Sequence, residues 1–327
     1  MTQIDRRAVL RLASATAVLT AGFAWSQSPY PNRPIRLVVP FGPGSFTDVV
    51  TREVATRVSA ALGQPFVIEN KPGANTGIAT ELVSRATPDG YTLLIGTVGG
   101  MAANPAGMMR TVPYDVSKNF TPISHIGSVV YAVLANPSIP AKNMEELIQY
   151  ARQKPGLKYG SGNFGGLVYM SMLARTQKLD LLNVPYKSGP PALMDLVGGV
   201  VDMMVTDLNS ALPLQKTGKL NILAIAGSRR SPLAPGVPTL KEAGVNGVRD
   251  VPGWIGLYGP ANLPPHIVAT LNKELNTVLQ LPAMQAKAAS VGLDIQGSTP
   301  EGLASYTREQ TALWKELIAE FKMAPQD

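Results

Sequence analysis

Short apolar runs alternate with longer amphipathic segments along this chain, and this alternation limits the possible folds more than any other feature. The first three runs have the length and composition of buried strands and lie at 35–40, 66–70 and 91–96. Apolar residues recur every fourth position between the first two runs, at Val50, Val54, Val58 and Leu62. That spacing is typical of one helix face, so strand and helix alternate and predict an α/β fold with mainly parallel sheets flanked by helices.

The same rhythm continues to the end of the chain. Further strands are predicted at 129–135, 157–160, 181–186, 200–205, 222–226 and 254–258. Helices are predicted at 77–86, 144–154, 167–178, 190–197, 265–291 and 299–322. No flexible linker interrupts this pattern, so we expect two lobes joined by strands. The predicted limits are 27–124 with 226–327 for lobe 1 and 125–225 for lobe 2.

The composition excludes several kinds of chemistry. The chain has no cysteine and two histidines, so disulfides, thiol nucleophiles and Cys-based or His-rich metal sites are excluded. No nucleophile elbow and no pair of carboxylates stands out for acid–base work. We therefore expect no catalytic residues, no metal and no cofactor. The formal net charge is +7 without a basic run, which is not the footprint of a nucleic-acid-binding protein.

The first 26 residues have the layout of an export signal. Arg6 and Arg7 precede an uncharged stretch at 12–26, which ends in small residues suited to cleavage. The uncharged stretch is shorter than the roughly 20 residues that a membrane-spanning helix needs. The sequence therefore predicts a signal peptide at 1–26 and a periplasmic protein, with the twin-arginine export route left open.

A glycine-rich loop follows the first strand and precedes the first helix. Glycine permits tight turns and close approach of the backbone to a ligand, and a helix start presents unpaired N–H groups. This combination predicts an anion site formed by Gly42, Gly44, Ser45, Phe46, Thr47 and Asp48. The alternative is local, because Ser45 and Asp48 also match a helix-capping box. The loop lacks the Gly-Lys-Ser/Thr ending of a phosphate-binding P-loop.

A second glycine-rich turn lies between the strand at 157–160 and the next helix. It offers a further helix-start anion site at Ser161, Gly162, Asn163 and Phe164. It also contains a literal G-x-G-x-x-G from Gly160 to Gly165. The alternative function is therefore an exported or cytosolic α/β enzyme with a nucleotide cofactor. Asp180 weakens this alternative, since it precedes the next strand instead of ending it.

Residues that follow other strands complete the set of candidates, because α/β folds bind ligands at the carboxyl ends of strands. Thr97, Val98 and Gly99 follow the third strand. Tyr186 lies at the end of the strand at 181–186, and Thr206 with Asp207 follows the one at 200–205. Asp207 has two interpretations, as a partner for an ammonium group or as a helix cap.

Several sequence motifs strongly resemble those of a known family, both in their residues and in their order along the chain. The segments are YPNRPIRLVVPF at 30–41, LGQP at 62–65, ENKPGA at 69–74, PDGYTLL at 88–94, VPYK at 184–187, GGVVDMM at 198–204 and VPTLKEAG at 237–244. Together they resemble the Bug-type extracytoplasmic solute receptors of tripartite tricarboxylate transporters. The resemblance extends over essentially the whole chain after residue 26.

The resemblance implies a two-lobed periplasmic binding protein of type II-like architecture, with the ligand in a cleft between the lobes. Family members bind citrate, dicarboxylates, acidic amino acids or aromatic acids and deliver them to a membrane permease without catalysis. The resemblance assigns ligand contact to Gly42–Asp48, Thr97–Gly99 and Ser161–Phe164, with Tyr186 and Thr206–Asp207 as further candidates. We expect a monomer.

Two departures from the family pattern bear on the ligand. Gly42 and Ser45 stand in the first loop where the family often has Pro and Gly. Thr206–Asp207 stands where the family often has Asp-Asn, so the carboxylate is shifted by one position and an amino-acid ligand is placed in question. Phe46 and Phe164, if both face the cleft, are suited to stacking on an aromatic acid.

Overall fold

The computed structural model describes residues 30–323 and Pro325. The predicted signal peptide, 1–26, lies outside these described residues. The described part of the chain forms two β-sheets, one of six strands and one of five, each flanked by helices. Within it, no helix is long and apolar enough to cross a membrane. The α/β fold expected from the alternation is therefore confirmed.

The first sheet is built from both ends of the chain. Its strands are β1 (Ile35–Val39), β2 (Phe66–Asn70), β3 (Thr92–Thr97), β4 (Phe120–Val129), β10 (Gly253–Pro260) and β11 (Leu293–Ile295). They lie in the order β11-β4-β10-β3-β1-β2. The flanking helices are α1 (Phe46–Leu62), α2 (Gly77–Ser84), α3 (Gly99–Met108), α4 (Val116–Asn119), α9 (Pro265–Leu279), α10 (Pro282–Ser290) and α11 (Pro300–Phe321).

The second sheet is built from the middle of the chain. Its strands are β5 (Tyr131–Ala135), β6 (Leu157–Ser161), β7 (Leu181–Pro185), β8 (Met203–Asp207) and β9 (Asn221–Ala226), in the order β7-β6-β8-β5-β9. Its helices are α5 (Met144–Gln153), α6 (Phe164–Gln177), α7 (Gly189–Val197) and α8 (Leu208–Lys216). The chain changes sheet at Val130 and returns after β9. The predicted boundary after residue 124 falls inside β4, so the change of sheet comes a few residues later.

Both sheets are mixed, where the sequence predicted mainly parallel pairing. β1 pairs in parallel with β2 and β3, whereas β10 is antiparallel to β3 and β4. In the second sheet, β6 is parallel to β7 and β8, whereas β5 is antiparallel to β8 and β9. β11 is antiparallel to β4 as well. Of the antiparallel strands, β5 and β10 are the first strands after the two crossings between the sheets, and the apolar pattern of single strands does not reveal these crossings.

Other differences have local causes. The helix predicted at 265–291 is two helices, because Pro282 opens α10 and Leu281 before it has an extended backbone. The turn predicted at 97–99 continues directly into α3. Most of the strand predicted at 129–135 is β5, and the sequence did not predict β4, β11 or α8 as separate elements.

The C-terminal helix α11 joins the two lobes. It packs on α3 and β4 of the first lobe and also touches α6 of the second. Trp314 of α11 is fully buried and meets the ring of Phe164 edge-on, with 5.8 Å between ring centroids. The core beneath the cleft is therefore continuous from one sheet to the other.

Candidate functional site

A cavity of about 60 Å³ lies between the two sheets, and we call it the inner chamber. Both lobes line it, through Phe41, Ser45, Phe46, Thr47, Thr76, Thr97, Val98, Gly99, Val129, Tyr131, Gly162, Asn163, Phe164, Gly189, Pro190, Leu193, Thr206, Asp207, Ser210, Trp254 and Ile255. A cavity needs roughly 10–15 Å³ to hold one water molecule, so this space has room for a polar group larger than a water molecule, such as a carboxylate.

A more exposed cavity of about 330 Å³ adjoins it, and we call it the outer chamber. The two chambers share five lining residues: Phe41, Thr76, Gly162, Asn163 and Phe164. The rest of the outer wall includes Tyr186 and the exposed Lys187. Together the chambers make a cleft that runs from a buried end to a solvent-facing end.

The first loop is held in place by its own capping groups. The Ser45 hydroxyl accepts a hydrogen bond from the Asp48 N–H at 3.3 Å and so begins α1. The Asp48 carboxylate in turn accepts from the Gly44 N–H at 3.0 Å. Gly44 has φ +76°, a left-handed conformation that glycine adopts without strain. The capping interpretation of Ser45 is therefore confirmed, and Ser45 also lines the inner chamber.

Asp48 stabilises the first loop through hydrogen bonds and does not line the inner chamber. Its carboxylate also accepts from Asn70 Nδ2 at 2.8 Å and from Arg52 Nε at 3.0 Å. The same Asn70 amide donates to the Phe41 carbonyl at 2.8 Å. Burial raises the pKa of Asp48, but the hydrogen bonds from Arg52, Asn70 and Gly44 lower that pKa further, to below its usual range.

Several helices present their N-terminal ends to the inner chamber, among them α1, α6 and α7. Asn163 caps α6 by accepting from the Gly166 N–H at 2.7 Å, and Ser45 caps α1 in the same manner. Each cap satisfies one N–H group, so the N–H groups of Phe46, Thr47 and Phe164 find no partner among the described residues. α7 begins at Ser188, whose side chain makes no capping bond. These helix starts form an electropositive wall without a formal cation.

Three buried polar atoms beside the inner chamber have no hydrogen-bond partner among the described residues. They are Thr76 Oγ1, Thr97 Oγ1 and Trp254 Nε1. Thr97 ends β3, Trp254 lies near the start of β10, and Thr76 precedes α2 with φ 72°. Buried polar groups are nearly always hydrogen-bonded, because an unmet donor is costly. Three such unpartnered groups around one cavity indicate that a polar ligand forms hydrogen bonds with them.

The inner chamber has one acidic residue, Asp207, and no Lys, Arg or His of the described residues lines it. Asp207 caps α8 by accepting from the Ser210 N–H at 2.9 Å. Burial raises the pKa of Asp207 above its usual range, against the opposing effect of hydrogen bonds from Ser210 and Thr206. Burial, and then the nearby Asp207 carboxylate, raise the pKa of Tyr131.

The structure brings most of the predicted site residues together. Those that line the inner chamber are Ser45, Phe46, Thr47, Thr97, Val98, Gly99, Gly162, Asn163, Phe164, Thr206 and Asp207. Phe46 and Phe164 thus both border the cleft. Of the remaining candidates, Tyr186 lies in the outer chamber, where its hydroxyl donates to Asp195 at 2.6 Å. Ser161 donates instead to Asn183 Oδ1 at 2.7 Å.

The last two candidates are glycines near the edge of the cleft. A Cβ on Gly42 would lie 3.3 Å from Ser188 Oγ, so this glycine lets the two lobes approach each other. A Cβ on Gly44 would meet nothing within 4 Å. Neither glycine lines either chamber.

The first and last glycines of the G-x-G-x-x-G segment pack against protein side chains. A Cβ on Gly160 would contact the side chains of Val201 and Ala192 at 3.4 and 3.5 Å. A Cβ on Gly165 would lie 2.3 Å from the Tyr131 ring. These glycines permit close packing, and the nucleotide alternative gains no support.

Sequence reasoning missed several residues of the inner wall: Phe41, Thr76, Val129, Tyr131, Gly189, Pro190, Leu193, Ser210, Trp254 and Ile255. Val129, Tyr131, Trp254 and Ile255 lie at the two crossings between the sheets, where no loop motif marks them. Phe41 belongs to the first predicted loop segment, and its aromatic ring next to glycine was the one available signal.

Comparisons with known proteins agree with this geometry. The family model described as tripartite tricarboxylate transporter family receptor matches residues 50–323. A Rhodopseudomonas palustris protein solved with adipate, Rpa4515, is 33% identical with a TM-score of 0.87, over 91% of this chain and 100% of its own. MatC of the same species, solved with malate, is 33% identical with a TM-score of 0.83, over 88% and 100%. The periplasmic binding protein BugD is 31% identical with a TM-score of 0.86, over 91% and 100%.

Proposed function

The chain belongs to the tripartite tricarboxylate transporter receptor family, and from this premise we propose that its cleft binds a small dicarboxylate. Members of the family are periplasmic solute-binding receptors. The similar structures of the adipate-bound and malate-bound proteins support a ligand with two carboxylates. The family match and the similarity to BugD confirm the resemblance to Bug-type receptors.

The observation that carries the proposal is the set of unpartnered donors around the inner chamber, which no described Lys, Arg or His side chain lines. Thr76, Thr97 and Trp254 border the inner chamber with buried, unpartnered polar atoms, and the starts of α1 and α6 add free N–H groups. Neutral donors of this kind bind a carboxylate well when the site excludes water. We assign one ligand carboxylate to these donors.

The outer chamber supports a place for the rest of the ligand. It is larger, at about 330 Å³, and Lys187 is the charged residue in its wall. A second carboxylate there would meet a cation and solvent, at small desolvation cost. The ligand contacts and this orientation are our proposal.

The wider setting follows from the same family. We propose that residues 1–26 direct export to the periplasm, that the protein delivers its ligand to a membrane permease, and that it acts as a monomer. The described residues contain no group of three or more Asp, Glu, His or Cys placed to hold a metal. We propose that the protein catalyses no reaction, in line with its receptor relatives.

A thermal-shift titration tests the proposal directly. Protein freed of co-purified ligand by dialysis in denaturant and refolding is titrated with malate, adipate, citrate, benzoate and NAD. A ligand at about 100 times its Kd stabilises the folded state by about 2.7 kcal/mol. With an unfolding entropy of about 2.1 cal/mol/K per residue, the melting temperature rises by about 4 °C.

A matched pair of variants links the shift to the chamber. Trp254→Phe removes the unpartnered indole N–H beside the inner chamber, whereas Trp314→Phe removes an equally buried and unpartnered one on α11. We expect Trp254→Phe to weaken dicarboxylate binding and Trp314→Phe to leave it unchanged. If NAD raises the melting temperature and no carboxylate does, the result contradicts the proposal and supports the alternative of a nucleotide-dependent enzyme.

A further inference from the structure

Asp207 stands out as a carboxylate in a chamber that we assign to an anion. Its side chain is 8% exposed and belongs to the wall of the inner chamber. Oδ1 accepts from the Ser210 N–H at 2.9 Å, and Oδ2 accepts from the Thr206 hydroxyl at 3.3 Å. A carboxylate has about four lone-pair sites. Asp207 therefore keeps acceptor capacity that the described residues leave unused.

The N-terminal end of α8 stabilises this charge in part, but no Lys, Arg or His of the described residues lines the chamber beside it. α1, α6, α7, α8, β3 and β10 contribute only neutral residues to the chamber. Among the described residues, the one other titratable group in the wall is the Tyr131 phenol, which pairs with Asp207 in the register of β5 and β8. Burial and the Asp207 carboxylate raise the pKa of Tyr131, so this phenol is neutral at physiological pH.

The two ends of the cleft therefore differ in charge. The inner chamber holds the Asp207 carboxyl, and the outer chamber holds the exposed Lys187. A second carboxylate placed beside Asp207 would meet repulsion in a buried setting, where Coulomb interactions are strong. A hydroxyl or ammonium group there would donate to the unused acceptor sites of Asp207 instead.

We propose that Asp207 determines ligand selectivity by accepting a hydrogen bond from a hydroxyl or ammonium group next to the inner carboxylate of the bound acid. The inference rests on the proposed function, since it concerns the same cleft. The shared chemistry is an O–H or N–H donor on the carbon chain. The same acid without a donor leaves the remaining acceptor sites of the buried Asp207 carboxylate without a partner, which is unfavourable.

Three diacids of equal chain length test the inference by calorimetry: succinate has no donor, malate has a hydroxyl and aspartate has an ammonium group. A hydrogen bond to a charged group corresponds to about 10- to 100-fold in affinity. We expect the wild-type protein to bind malate or aspartate that much more tightly than succinate. The malate and aspartate titrations separate the hydroxyl from the ammonium group as the donor.

Variants then identify Asp207 as the cause. Asn is as good an N-cap as Asp, so Asp207→Asn keeps the start of α8 while it removes the charge. We expect Asp207→Asn to bind succinate and the donor-bearing acids within about 3-fold of one another, since the charge-assisted bond is lost. Asp180→Asn removes an exposed charge from the same lobe, away from the cleft, and should keep the wild-type preference.

The outcomes separate the two claims. If the wild-type protein binds all three diacids equally, or if Asp207→Asn keeps the preference, the selectivity role is overturned while the carboxylate receptor stands. If the wild-type protein binds none of the three diacids and no adipate, the proposed function and the inference are overturned together.

Discussion

Replacing Thr97 by Val should move stability and ligand affinity in opposite directions. Thr97 Oγ1 is buried beside the inner chamber and has no hydrogen-bond partner among the described residues. Valine has nearly the same shape and the same branching at Cβ, so the end of β3 should keep its backbone. The ligand-free protein loses an unmet polar group, and the complex loses a donor.

The expected magnitudes follow from this burial. A buried hydroxyl without a partner costs about 1–3 kcal/mol in proteins, so Thr97→Val should stabilise the ligand-free protein by about that amount. With an unfolding entropy of about 0.6 kcal/mol/K for a chain near 300 residues, the melting temperature rises by roughly 2–5 °C. A lost hydrogen bond to a carboxylate lowers affinity by about 10- to 100-fold.

Thr51→Val supplies the matched control. Thr51 Oγ1 is also buried and unpartnered, but Thr51 lies on α1 beside an apolar cavity of about 20 Å³ in the first lobe. Differential scanning calorimetry of the ligand-free variants should show a similar stabilisation for both. Titration with malate or adipate should show weaker binding for Thr97→Val alone.

Two results would refute this reasoning. If Thr97→Val binds dicarboxylates as tightly as the wild-type protein, the hydroxyl does not contact the ligand. If Thr97→Val lowers the melting temperature of the ligand-free protein while Thr51→Val raises it, the Thr97 hydroxyl already has a partner in the absence of ligand.

Gly165→Ala should lower the free energy of unfolding by about 1–3 kcal/mol, because its Cβ would lie 2.3 Å from the Tyr131 ring, and urea denaturation measures this loss. Asp48→Asn should destabilise the protein by about 1–3 kcal/mol at pH 7. Since the pKa of Asp48 is lowered by folding, its contribution is present above about pH 4 and fades as pH falls through the folded pKa, so the difference from wild type should shrink there. Ser161→Ala should leave dicarboxylate affinity unchanged in calorimetry, because the Ser161 hydroxyl is bonded to Asn183.

A specific experimental outcome would contradict each of these three predictions. Gly236→Ala is the control for the first, since a Cβ there meets nothing within 4 Å, and equal stability losses for both glycines would remove the role of Tyr131. A stability difference for Asp48→Asn that stays constant from pH 7 to pH 3 would show that its charge is irrelevant. A clear loss of dicarboxylate affinity in Ser161→Ala would show that the Ser161 hydroxyl contributes to ligand binding.

The candidate site was predictable where a motif marks a loop between a strand and a helix. The segments around Ser45, Thr97 and Asn163 carry glycine and capping residues, which locate helix starts at the ends of strands. Asp48 shows the limit of such reasoning. From the sequence, its carboxylate could cap the helix or bind a ligand. Only the structure shows that this carboxylate is engaged in hydrogen bonds from Arg52 and Asn70 that hold the loop.

The sequence by itself determined the alternation of strands and helices, the glycine-rich turns and the family motifs, because these depend on residues close together in the chain. Only the tertiary structure decided which residues meet across the cleft. Thr76, Tyr131 and Trp254 are far apart in sequence and carry no motif, yet they border one chamber. None of the described Lys, Arg or His side chains lines that chamber, which makes the Asp207 carboxylate significant, and this too is a property of the assembled lobes. Burial and unmet hydrogen bonds arise from long-range packing, which local patterns do not encode.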